Sequence, residues 1–169
     1  MGCTGVVVVV SNTHIYCGNA GDSRAVLARR AKLDEQQADD DGNPLAKHAK
    51  QIEAVRLSVD HKPSLRDEID RIVKVGGFIT QEAVRGAAVR LHSPNVSNGL
   101  AVSRAFGDFP LAPPVTVEPF ISSRRLDADD LFVVVGCDGV WDVLTDHEAA
   151  IVAVGSVHDV TVRQQKPNK

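Results

Sequence analysis

Hydrophobic positions near the start of the chain fall into three blocks, Val6–Val10, His14–Gly18 and Arg24–Ala28, separated by short stretches rich in turn residues. Gaps this short join antiparallel neighbours, so the pattern predicts a meander. Val6–Val10 is apolar at every position rather than alternately, which predicts cover on both faces and hence two stacked sheets or a sheet beneath helices. A fourth block, "LFVVV", lies between "DADD" and Gly136 and reads as a buried strand with Asp138 just beyond its end. Leu65, Ile69, Ile72 and Val73 recur at helical spacing between Ser64, a candidate N-cap, and the stop Gly76-Gly77. Thr145 with Glu148 makes a capping box ahead of a helix through "EAAIVAV".

The intervening segments are polar or short. "FITQEAVRGAAVRLH" offers strand-like pieces around Gly86, and "SPNVSNG" is a loop. Residues 31–53 read as a polar insertion between strands, and 163–169 as a disordered tail. A calcium loop centred on Gly42 is rejected, because Gln37 and His48 fall where carboxylates are required. Nothing resembles a linker or a repeat, so residues 1–162 are expected to form one α+β domain with antiparallel sheets and segregated helices.

Composition narrows the partners. The 169 residues are 43% hydrophobic and 24% charged with a net charge of -3, which suits a globular domain and supplies no basic field for nucleic acid. No apolar stretch is long enough to span a bilayer, and Val6 stands where an N-myristoylation signal needs Ser or Thr. Cys3, Cys17 and Cys137 have neither zinc-site nor disulfide spacing, so a reducing, cytoplasmic or nuclear compartment is expected.

Acidic residues recur at turns beside apolar strands: Asp22 in "NAGDSR", Asp108 in "AFGD", and Asp138 and Asp142 in "CDGVWD". Strand-end carboxylates beside glycines are the ligands that hard divalent cations require. Any one of them alone reads as a turn or cap residue. The six histidines are scattered, which disfavours a zinc site. There is no nucleophile elbow and no glycine-rich phosphate loop, so metal-activated water is the attacking group to expect of an enzyme built this way. Trp141, the only tryptophan, is expected to fill the core.

Five stretches, "NAGDSRAVL", "DHKPSLRDEIDRIVKVGGFI", "LAVSRAFGD", "VTVEPFI" and "LFVVVGCDGVWDVLTDHEA", resemble in order and wording the metal-dependent serine/threonine protein phosphatases of type 2C, the PPM family. The resemblance implies a β-sandwich of two antiparallel sheets flanked by helices, with Mg²⁺ or Mn²⁺ at one end. It implies attack on phosphoserine or phosphothreonine by metal-bound water, with phosphoproteins as partners and the chain as a monomer. Asp138 matches the family's strand-end metal ligand, and Asp22 and Asp142 match residues of a further, weaker metal site. Thr4 and Gly139 lie near the metals by the same matching. Asp60, His61 and Lys62 open the segment that corresponds to the substrate flap, while Ser103, Arg104, Gly107 and Asp108 match a structural stretch.

The resemblance also has gaps. The family's phosphate-gripping arginine and its "DGHGG" element have no counterpart, which implies a domain truncated at the N-terminus and impaired in catalysis. The C-terminal end is abbreviated: "GSVHDVTV" follows Val154 directly, and either His158 or, with one residue missing, Asp159 falls on the last metal aspartate. Asp159 is the preferred match. The alternative reading is a non-catalytic domain that binds phosphoproteins or a regulatory partner.

Overall fold

The computed structural model describes residues 1–31, 51–81, 83–84 and 86–164, with backbone alone from residue 157 onward. Three of the expected strands are present and run slightly longer than the apolar blocks: β2 (Gly5–Val10), β3 (His14–Ala20) and β4 (Arg24–Arg30), preceded by the short β1 (Gly2–Cys3). A strand not anticipated, β5 (Ile52–Arg56), pairs antiparallel with β4 from Val26↔Arg56 to Arg30↔Ile52. Two residues of the expected insertion therefore belong to a sheet, whereas 32–50 lie outside the described residues. Further along come helix α1 (Arg66–Lys74), the hairpin β6 (Phe78–Thr80) and β7 (Arg90–His92), and β8 (Phe106–Gly107) on β1. The chain continues through β9 (Phe120–Arg125), β10 (Asp130–Gly136), the single turn α2 (Asp138–Trp141) and α3 (Asp146–Gln164).

Two three-stranded antiparallel sheets, in the orders β2-β3-β9 and β10-β4-β5, form the body of the molecule, so only β2 and β3 of the expected meander pair, while the chain crosses to the second sheet before β4, whose apolar residues pack against the first sheet. Their inner faces meet through Ile15 and Cys17 of one and Ala25 and Leu27 of the other, with Val6, Val8 and Val133 packed alongside. Each large aliphatic side chain buried there contributes about 1.5–3 kcal/mol. The other face of β10-β4-β5 carries Val26 and Ala28, which receive Trp141, Ala149 and Ala150 from the helices. The result is the sandwich expected, with helix on one side.

The outer face of β2-β3-β9 departs from expectation. Val7, Val9 and Ile121 are 65%, 56% and 64% exposed, so the all-valine strand is covered on one face only among the described residues. Side chains alternate across a strand, and Val6 and Val8 take the inner face while Val7 and Val9 point away. β10 is also less enclosed than its run of valines suggests, with Leu131 and Val135 exposed.

The helices differ in detail from their sequence signals. α1 is capped at Leu65 with no side-chain hydrogen bond, not at Ser64, because Leu65 itself is still extended. Its buried residues are Ile72 and, four positions earlier, the carboxylate Glu68; Leu65 and Val73 are exposed. α3 opens on the expected capping box, with Thr145 N donating to Glu148 Oε2 at 2.8 Å and Glu148 N to Thr145 Oγ1 at 3.2 Å. It then runs on through Gly155 to Gln164, two residues into the expected tail. No helix of the described residues is long and apolar enough to cross a membrane.

Candidate functional site

The β4-β10 ladder ends at Arg24↔Gly136. Asp22 lies two residues before Arg24 and Asp138 two residues after Gly136, so antiparallel pairing brings both to one end of the sheet. On the β10 side the chain turns at once into α2, where the Asp138 carboxylate accepts from Gly139 N at 2.9 Å. Asp142 follows one turn later, its N–H donating to the Asp138 carbonyl at 2.8 Å. Both carboxylates are exposed. Trp141 between them is buried, donating Nε1–H to Gly136 O at 2.7 Å, which ties the turn back to the strand it left.

On the β4 side the turn is tight. Gly21 has φ of +100°, and a Cβ there would meet the Thr4 side chain at 2.3 Å, so only glycine fits. Thr4, between β1 and β2, shares a 2.7 Å hydroxyl hydrogen bond with Ser23. This puts Thr4 beside the Asp22 turn. The Asp22 carboxylate itself is buried and is held by the Lys62 ammonium.

Asp60, His61 and Lys62 form a strap across this turn. Asp60 accepts a fork of hydrogen bonds from Arg24 Nε and NH2. His61 is 2% exposed; its backbone N–H donates to Gly21 O at 3.0 Å, and its Nδ1 lies 3.1 Å from the same oxygen and 3.3 Å from Gly21 N. Burial, reinforced by the charge of Arg104, pushes the His61 pKa down. Lys62 completes the strap on Asp22.

Arg24 joins the two sides. Besides Asp60 it donates NH1–H to Asp146 Oδ1 at 2.6 Å, and its guanidinium lies 5.0 Å over the Trp141 ring. Arg56 donates to both oxygens of Asp146, at 2.8 and 2.9 Å. Burial alone would raise the Asp146 pKa, but the hydrogen bonds from Arg56 and Arg24 bring it below the ordinary value. These groups line a cleft of about 520 Å³ with Asp142, Thr145 and His147. Sequence reasoning missed this network; the one available signal was that Arg24 stands within "GDSR" beside Asp22.

A second polar cluster underlies α1. Glu68, 3% exposed, takes hydrogen bonds from Arg104 Nε and NH2 at 3.2 and 2.6 Å and from Arg71 NH2 at 2.9 Å. Burial would raise its pKa, yet the bonds from Arg104, Arg71 and Ser103 hold it at about 2. Ser103 and Arg104 are thus structural, as expected, with Asp108 turned toward the N-terminal ammonium at 3.7 Å.

The side chains of His158 and Asp159 lie outside the described residues. α3 starts at Asp146 beside Arg24, then packs Ala149 on Val26 and Ala150 and Val154 on Ala28 and Ile52. It therefore travels toward the opposite end of the sheet.

The donor chemistry at the strand ends fits a hard cation in part. A buried carboxylate, Asp22, holds the Lys62 ammonium, and Asp138 and Asp142 offer exposed oxygens at the same end of the ladder. Among the described residues no three carboxylate, imidazole or thiol groups converge closely enough to hold a metal ion. The residues present fit one side of a ligand shell.

Residues 1–168 match the family model described as Protein phosphatase 2C. "Probable protein phosphatase 2C 41" of Arabidopsis thaliana is 37% identical over 156 residues, 91% of this chain and 40% of that protein. "Protein phosphatase 2C homolog 2" of Saccharomyces cerevisiae is 38% identical over 87% of this chain and 27% of its own length. The chain thus spans less than half the length of these relatives. The crystal structure of serine-threonine phosphatase 2C from Toxoplasma gondii superposes with a TM-score of 0.76 at 21% identity, covering 92% of this chain and 47% of that one, which shows the shared fold.

Proposed function

The chain belongs to the protein phosphatase 2C family, and from that premise we propose that it forms part of a Mg²⁺- or Mn²⁺-dependent protein serine/threonine phosphatase domain. The observation that carries this reading is the placement of Asp22 and Asp138 at one end of the β4-β10 ladder, with Asp142 one helical turn beyond. Phosphoproteins are the proposed substrates, and a reducing intracellular compartment the proposed location.

Asp22, Asp138 and Asp142 would contribute to holding the ion, with Thr4 and Gly139 shaping the two turns. A divalent cation there supplies activation of water and neutralisation of charge on a phosphoryl group. The chain's own residues do the positioning. Arg24 clamps the Asp60 strap, the start of α3 and the Trp141 ring into one unit, which fixes the turns carrying the carboxylates. Gly21, with φ of +100°, lets the backbone turn three residues before the β4 end of the ladder.

A second reading, a non-catalytic domain that binds phosphoproteins, is favoured by the absence of three converging donors among the described residues. Both are tested with a phosphothreonine peptide and Mn²⁺, comparing the chain with Asp138→Asn. The expected result is low turnover, dependent on Mn²⁺ and lost in Asp138→Asn. Peptide binding without turnover in either protein supports the second reading. Turnover equal in both would remove Asp138 from the site.

A further inference from the structure

Asp22 is one of the few buried carboxylates among the described residues, 6% exposed, and the cation it holds comes from the chain itself. The two partners are unequally enclosed: the Asp22 side chain is 7% exposed, the Lys62 side chain 41%. A buried carboxylate cannot turn to water, whereas a half-exposed lysine on a flexible stem can swing out and be hydrated. Lys62 is also well placed to return. Its backbone is anchored by the neighbouring His61, buried on Gly21, and by Asp60 on Arg24, so the ammonium remains tethered over the turn.

We propose that Lys62 is an internal competitor for the cation site at Asp22: it neutralises the carboxylate while no metal is bound and must be displaced for a divalent ion to reach that oxygen. The inference rests on the reading of Asp22 as a metal-side carboxylate. Lys62 occupies Oδ2, and two cations on one buried carboxylate repel each other, so binding of the ion at that oxygen and the Lys62 ion pair oppose one another. The same tether gives a direct readout. Displacement hands the Lys62 amine to solvent, where it becomes more reactive toward acylating reagents. Cation binding at this end is thereby coupled to the position of the 60–62 strap.

The experiment is calorimetric titration of Mn²⁺ into the wild-type chain, Lys62→Gln, Asp22→Asn and the double variant, with acylation of Lys62 followed by peptide mass mapping in the presence and absence of Mn²⁺. Lys62→Gln is expected to bind Mn²⁺ on the order of fivefold more tightly, the size of one half-exposed ion pair. In the Asp22→Asn background the same change should have no effect, and Mn²⁺ should speed acylation of Lys62 in the wild type. Equal affinity of wild type and Lys62→Gln, with acylation unchanged by Mn²⁺, overturns the competition while leaving Asp22 as a possible ligand. Equal affinity of wild type and Asp22→Asn, or no binding by wild type and Lys62→Gln alike, overturns the underlying reading of Asp22 as well.

Discussion

Arg104 reaches across to α1 and donates two hydrogen bonds to a single oxygen of the buried Glu68, at 3.2 and 2.6 Å, while Arg71 takes the other oxygen at 2.9 Å. A carboxylate sits here on the buried stripe of a helix whose other enclosed residue is Ile72. Glu68→Gln would leave two guanidinium groups facing a neutral amide in a nearly closed site. Loss of one partner of a buried ion cluster typically costs about 3–5 kcal/mol. Urea unfolding of the two proteins at pH 7 is expected to show a loss of that order; a change below about 0.5 kcal/mol, usual for surface substitutions, would mean that the cluster does not hold α1 in place.

The same carboxylate sets an acid limit. Its folded pKa is about 2 against an ordinary 4.5, so the unfolded chain takes up the proton first as pH falls. The stabilising contribution is complete above about pH 4.5 and declines between about 4.5 and 2. Unfolding midpoints measured across that interval should drop more steeply for the wild type than for Glu68→Gln. Parallel slopes would show that Glu68 is not the group responsible.

His61 adds sensitivity at higher pH. Burial depresses its folded pKa, so the neutral ring is the folded form and stability is lost as pH falls below the ordinary value near 6.5. Asn at this position keeps a polar atom near the place of Nδ1 but does not titrate. His61→Asn is expected to be less stable overall, with a smaller difference in urea midpoint between pH 7.5 and 5.5. An undiminished difference would assign the pH dependence to another group.

Val7, Val9 and Ile121 lie on the uncovered side of β2-β3-β9, in a row formed by the pairings Val7↔Gly18, Val9↔Tyr16 and Gly18↔Ile121. Apolar side chains left in water contribute little to folding and promote association. The triple change to Thr is expected to leave the melting temperature within about 3 °C of wild type and to reduce concentration-dependent association in sedimentation velocity. A large fall in melting temperature would show that these residues are packed.

Some of this was legible from the residues alone. The three strands β2, β3 and β4, the strand before Asp138, the strand pieces around Gly86 and the capping box at Thr145 each follow from interactions within a few residues, where spacing and turn chemistry act directly; the meander expected of the first three does not form, because β4 pairs with β5 and β10 in the other sheet. The placement of Asp22 and Asp138 at strand ends was equally local, because each follows or precedes an apolar run. Ser64 was misjudged as a cap because the choice between adjacent residues depends on backbone angles that composition does not specify.

Tertiary structure decided the rest, for reasons of contact between distant segments. An all-valine strand carries no mark of which face will be covered; the packing of β4 onto Val6 and Val8, and the absence of a described partner beyond Val7 and Val9, make that choice. β5 lacks a distinctive pattern of its own and becomes a strand by pairing with β4. α3 extends past Gly155 as its early turns dock on Ala28 and Ile52, support that local propensity does not supply. The sequence contains Asp22 and Lys62, or Glu68 and Arg104, as separate charges. Only folding brings each pair together and removes enough water for the charges to act on one another.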